Sequence, residues 1–173
     1  VVDTGTYWSG FGQTVILTLI QLGGLGYMTG VVFIVLLAGR RVTLAQRQVL
    51  RITFGGGVLG RVDVEARTLI IISIVIQIIG VLLLFTRFAI LDGASLQSAW
   101  QAIFHAVSAF HNAGFEITGG APSIFEYRRD PWILFPLVLL SLIGALGMTT
   151  VITFLAVRRW RPLTLDAKLV FVG

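Results

Sequence analysis

The chain has 173 residues, of which 56% are hydrophobic and 12% charged, and its mean hydropathy is +0.93. Soluble domains run at about 45–50% apolar and about 25% charged, so this composition excludes an ordinary soluble domain and points to an integral membrane protein. The formal net charge of +5 comes from basic residues that flank apolar stretches, a pattern that orients a chain in a bilayer and argues against nucleic acid as a partner.

Cysteine is absent, which excludes a disulfide framework or a thiolate metal site. No basic leader precedes the first apolar run and the first residue is Val1, so the chain is expected to come from the interior of a longer protein. Val1 to Phe11 is polar with an aromatic cluster at Tyr7, Trp8 and Phe11, which suits the membrane interface. Gly12 to Ala38 carries no charge over 27 residues and is long enough to span with some tilt. Within it, Gly23, Gly24, Gly26 and Gly30 are expected to let another backbone approach closely, Gly26 and Gly30 having the small-xxx-small spacing.

Residues 39–67 change character, with Arg40, Arg41, Arg47, Arg51, Arg61 and Arg67 opposed only by Asp63 and Glu65. This is read as a cytoplasmic linker, with a surface helix over Thr43 to Phe54. The GGGVLG run at 55–60 invites a phosphate-loop reading, but no strand precedes it and no Lys-Ser/Thr follows, so a flexible turn is expected.

Residues 68–91 form a second apolar span, with Arg87 near its end extending its guanidinium toward the interface. Asp92-Gly93-Ala94-Ser95 then signals a turn and a helix start, with Asp92 or Ser95 as the N-cap. Leu96 to Phe110 has the pattern of an amphipathic helix. Its 15 residues cover about 22 Å, short of a hydrocarbon core of about 30 Å.

At Asn112-Ala113-Gly114-Phe115 polar and glycine residues break the apolar run, so the backbone is expected to turn back. Non-helical backbone at membrane depth is tolerated only where protein or a water-filled cavity covers it. A re-entrant loop therefore implies a pore, in which carbonyls replace the water shell of a cation and Gly114 supplies the dihedrals that aim them at one axis. Residues 117–130 read as a polar connector, and 132–157 as a third span with Pro136 in its first turns, where proline is tolerated. Residues 158–173 are a basic tail that becomes apolar at its end, as if a further span were beginning.

The linker holds six Lys or Arg and the tail four, against three (Arg87, Arg128 and Arg129) in the remaining loops. The ten belong on the cytoplasmic side. The Asn112 to Phe115 loop then enters from outside, on the side that also holds Asp3, Asp92, Glu116, Glu126 and Asp130.

LIQLGGLGYMT at 19–29 aligns with LSLIGALGMTT at 140–150, placing Gly23 on Gly144 and Gly26 on Gly147 at an offset of 121. Each is followed by a twin arginine, Arg40-Arg41 and Arg158-Arg159. The two are read as the same element of a span, loop, span repeat. Residues 1–38 would be the end of one unit, 68–157 a complete second unit (span 68–91, pore helix 96–110, filter 112–115, span 132–157), and 158–173 a linker entering a third. One unit cannot enclose a pore, because a ring of carbonyls needs several loops around an axis.

VVDTGTYWSGFGQ, LIQLGGLGYMT, FHAVSAFHNAGFEI and LTLDAKLV together resemble the potassium uptake proteins of the TrkH/KtrB superfamily, on the KtrB-like branch. The resemblance covers nearly the whole chain and implies an all-α, potassium-channel-like membrane fold in which four units in one polypeptide form the pore. It implies that Gly114 is the filter glycine of the second unit, with the carbonyls of Asn112, Ala113, Gly114 and Phe115 facing potassium. It further implies potassium uptake across the plasma membrane, possible sodium coupling, a homodimer, a cytoplasmic ring of nucleotide-binding regulatory subunits, and no organic cofactor on this chain. The basic linkers would rest on anionic lipid headgroups. His111 departs from the pattern, standing where a second Asn or another small polar residue is expected, and Asp63 with Glu65 dilutes the linker.

Two rival readings fit the sequence less well. A membrane-embedded enzyme would use Glu116, His105 and His111, but the spans offer few convergent polar groups, and two histidines six residues apart on a helix do not share a face. Helix capping or packing is the expected role of both. A secondary carrier with broken helices would need repeats several helices long. Glu116 is read as a solvated loop carboxylate or a cation site at the pore mouth.

Overall fold

The computed structural model describes residues 2–24, 62–119 and 124–145. The expectations for the remainder of the first span, the linker up to residue 61 with its GGGVLG run, the end of the third span and the tail lie outside the described residues. Among the described residues the structure is all-helical.

A short helix α1, Thr4–Tyr7, is capped by Asp3, whose Oδ1 accepts from the backbone N–H of Gly5 at 2.7 Å and of Thr6 at 3.3 Å. Helix α2, Gly10–Gly24, follows. Its hydroxyls are satisfied within the helix, Thr14 donating to the Gly10 carbonyl and Thr18 to the Thr14 carbonyl, each at 2.8 Å, as the absence of water in a bilayer demands.

Helix α3, Val62–Asp92, has 31 residues. The helix therefore begins inside the stretch read as linker, with Asp63, Glu65 and Arg67 in its first turns ahead of the apolar part. Its apolar part, Ile70–Asp92, has 23 residues, and only 22% of its most apolar window is buried. A soluble core helix would be mostly buried, whereas Ile71, Val75, Ile78, Ile79, Leu82, Leu83 and Ile90 are exposed. At about 35 Å this stretch is long enough to cross a hydrocarbon core of about 30 Å.

Gly93, with φ +86°, turns the chain into helix α4, Leu96–Phe110, over the same residues that the sequence pattern indicates. Ser95 is the N-cap, its Oγ accepting from the Ser98 N–H at 3.1 Å, and Ser98 Oγ donates to the Gly93 carbonyl at 2.7 Å. Asp92, the alternative cap, is instead the last residue of α3 and accepts the Tyr127 hydroxyl at 2.9 Å.

After the loop a 3-10 helix, Ile124–Arg129, leads into α5, Pro131–Ala145. Asp130 joins three elements. Its Oδ1 accepts from the Trp132 N–H at 3.0 Å and its Oδ2 from Arg87 Nε at 2.7 Å. Arg87 is thus ion-paired across 43 residues and does not simply extend to the interface.

Pairings along the helices set their directions. Arg87 meets Asp130, and a Cβ at Gly80 would sit 2.6 Å from Leu140, so α3 and α5 are antiparallel and closely packed. Small residues at such a contact let helices approach where lipid supplies no hydrophobic drive between them. Helix α4 lies inside this frame. One face packs Ala102, Ala106 and Phe110 against Leu84, Phe88, Ile133 and Leu140, and another packs Phe104 and Val107 against Ile20 and Ile117. Among the described residues α4 is the most enclosed of the three, because it has protein on both faces.

Candidate functional site

The site is the loop that begins where α4 ends. His111, the C-cap, donates its backbone N–H to the Val107 carbonyl at 3.1 Å. Asn112 takes a positive φ of +52° and donates its N–H to Ala109 at 3.0 Å, and Ala113 donates to Ser108 at 2.9 Å. Asparagine is among the few side chains that tolerate this left-handed region. Gly114 has φ +72°, and a Cβ there would meet nothing within 4 Å. Glycine is required at this position for its dihedrals, and the side facing its missing side chain is open space.

Side chains hold the loop from behind. Ser108 Oγ accepts from the Phe115 N–H at 3.0 Å and donates to the Phe115 carbonyl at 2.7 Å. Asn112 Nδ2 donates to the Ser141 carbonyl at 3.2 Å, and the Ser141 hydroxyl donates to Asn112 Oδ1. A Cβ at Gly144 would overlap the Phe110 carbonyl oxygen, so α5 touches the last turn of α4 through bare backbone.

Depth follows from these pairings. The α4 N-terminus adjoins the end of α3, while His111 lies beside Gln77, 15 residues before Asp92, or about 22 Å of helix. The chain then comes back. A Cβ at Gly5 would be 2.6 Å from the Cα of Gly119. Gln13 Nε2 donates to the Gly5 carbonyl at 3.3 Å, and its Oε1 accepts from Trp100 Nε1 at 2.8 Å. Residue 119 is therefore back near the level of Trp100 in the second turn of α4. Residues 96–119 thus run one way as helix and return as non-helical chain to the level of their start.

The C-terminus of α4, at the start of the loop, carries about half a negative charge, a field that attracts cations. Glu116, the only Asp, Glu, Lys or Arg in 111–119, accepts from the Thr118 hydroxyl at 3.3 Å.

The other residues singled out from the sequence do not converge on a reaction centre. His105 is buried, its Nδ1–H donating to the Gln101 carbonyl at 2.7 Å, and its ring lies 6.2 Å from those of Phe88 and Phe104. His111 turns instead to Gln21 and Gln77, at 3.2 and 3.3 Å from its Nε2. These are the packing and capping roles expected of the two histidines. Among the described residues no group of three or more His, Cys, Asp or Glu could hold a metal. Sequence reasoning missed Ser108 and Ser141 as loop anchors. The available signal was their hydroxyls within otherwise apolar helices, where each needs a partner.

Comparison with known proteins identifies the family. The TrkH family, described as cation transport proteins, matches residues 1–170. The Ktr system potassium uptake protein B of Bacillus subtilis is 37% identical over the whole chain, which spans 38% of that protein's length. The Vibrio alginolyticus protein of the same name is 30% identical over 87% of the chain and 32% of its own length. The potassium/sodium uptake protein NtpJ of Enterococcus hirae is 29% identical over 96% of the chain and 36% of its own length. The chain belongs to the TrkH family of cation transport proteins.

Proposed function

We propose that this chain forms part of the ion path of a potassium uptake protein in the plasma membrane, and that Asn112, Ala113, Gly114 and Phe115 hold dehydrated potassium through their backbone carbonyls. The observation that carries this reading is the re-entrant excursion of residues 96–119, with positive φ at Asn112 and Gly114 and open space beside Gly114. A carbonyl ladder needs successive peptide oxygens on one side of the chain, and asparagine and glycine at positive φ permit the peptide rotations this requires. The Phe115 carbonyl already accepts the Ser108 hydroxyl. Its second lone pair remains, so the ladder rests chiefly on residues 112–114, with Phe115 at its edge.

In this reading 68–157 is a complete span, pore loop, span unit and 1–38 the end of a preceding one, with linkers at 39–67 and 158–173 cytoplasmic and the filter loop facing outside. Gly144 abuts Phe110 at the end of α4; its repeat mate Gly23 would meet the pore helix of a preceding unit in the same way, and four units would close the pore. The names of the Bacillus and Vibrio relatives support potassium as cargo, and the NtpJ name supports sodium as a coupled or second ion, as in symport. A homodimer in lipid, with a cytoplasmic regulatory ring and no organic cofactor on this chain, completes the proposal. Catalysis by Glu116, His105 and His111 is set aside, since the family is one of transport proteins.

The test is potassium uptake by a potassium-transport-deficient bacterium carrying the full-length polypeptide, wild type beside Gly114→Ser. A non-glycine residue held at this φ costs about 1–3 kcal/mol, with no clash to prevent insertion. Weaker apparent potassium affinity with sodium now admitted supports the filter. Unaltered uptake by a variant present in the membrane rejects it.

A further inference from the structure

Behind the loop, three polar side chains from three elements meet. His111 Nε2 lies 3.2 Å from Gln21 Oε1 of α2 and 3.3 Å from Gln77 Nε2 of α3. Gln77 is 6% exposed and is the only carboxamide between residues 68 and 91. Polar side chains inside a span are costly and tend to be functional. A second observation is steric. A Cβ at Gly24 would overlap the His111 ring, so α2 carries a glycine where the imidazole is seated.

A ring nitrogen either donates or accepts. With its proton on Nε2, His111 donates to Gln21 Oε1; with the proton on Nδ1, Nε2 accepts from the Gln77 amide. Whichever tautomer is present, one glutamine holds the ring. His111 is covalently joined to Asn112, so the clamp sets the inner end of the carbonyl ladder.

We propose that His111 is a positioning residue for ion selection: held by Gln21 and Gln77 and seated on Gly24, it fixes the Asn112 carbonyl and ties it to α2. The inference rests on reading residues 112–115 as the filter. It makes potassium preference in this loop depend on a helix that the repeat assigns to the preceding unit.

The test is potassium uptake by cells carrying the full-length polypeptide, with membrane levels measured in parallel. His111→Leu is expected to raise the apparent KM for potassium about tenfold and to admit sodium, with maximal rate within about twofold of wild type. His111→Gln, which can still donate and accept, is expected to stay within about threefold of the wild-type KM. Because the glutamines substitute for each other, Gln21→Leu or Gln77→Leu alone should shift KM by less than about threefold, while the double variant should match His111→Leu.

Wild-type KM and selectivity in His111→Leu overturn the proposal, as does equal loss in His111→Leu and His111→Gln, which would mean that only ring shape matters. If His111→Leu fails to reach the membrane, the double glutamine variant decides, and an unaltered KM there overturns it. Gly114→Ser separates the two levels. Altered selectivity in Gly114→Ser with none in the His111 and glutamine variants rejects the clamp alone; none in any variant rejects the filter reading and the clamp with it.

Discussion

Helix α3 and the loop 111–119 face the same problem, backbone polar groups far from water, and meet it in opposite ways. Along α3 the helix bonds its own backbone, and side chains such as Ile78, Ile79 and Leu82 stay exposed and apolar. In the loop the N–H groups of 111–113 turn back onto α4 carbonyls, Ser108 bonds the Phe115 backbone, Ser141 holds the Asn112 side chain, and α5 closes in at Gly144 through bare backbone. The difference shows where function can reside in a lipid-solvated chain. Irregular backbone in such a chain persists only where neighbouring protein over-determines it.

If this contrast is right, substitutions at the loop should be costly and those on the outer face of α3 should not. Gly144→Ala is expected to have the largest effect, because its methyl must displace the Phe110 carbonyl. A backbone clash of this kind costs about 3 kcal/mol, read as loss of folded protein in detergent thermal melts and a more than about tenfold fall in uptake. Asn112→Leu removes both bonds to Ser141 and should cost about 1–3 kcal/mol, with reduced discrimination of potassium over sodium in competition uptake. Arg87→Met breaks the pair with Asp130, whose side chains are 29% and 12% exposed. After allowance for solvent screening, about 1 kcal/mol of stability should be lost, with ion selectivity unchanged. Ile79→Ala, 54% exposed on α3, should stay within about 0.5 kcal/mol in the same melts. A large loss there would mean that this face is covered by protein.

Much of the fold was legible because the bilayer imposes coarse rules. The 15 residues of α4 and the Ser95 cap follow from apolar periodicity and turn chemistry, and the break at Asn112-Ala113-Gly114 follows from the two left-handed dihedrals needed there. The start of α3 was less legible, since a helix can continue past its apolar stretch into Asp63 and Glu65. Long-range partners were not legible at all. Arg87 and Asp130 lie 43 residues apart, and Gln21 and His111 lie 90 apart; composition identifies such groups as needing partners but cannot say which. The glycines divide in the same way. Close packing was expected of Gly23 and Gly24 alike, yet among the described residues only Gly24 meets a neighbour.

The most direct test of the central claim is anomalous X-ray scattering from crystals of the full-length protein grown with thallium or rubidium in place of potassium. A peak is expected at coordination distance from the carbonyl oxygens of Asn112, Ala113 and Gly114, lost in Gly114→Ser. Peaks elsewhere in the membrane region, with none beside this loop, would contradict it.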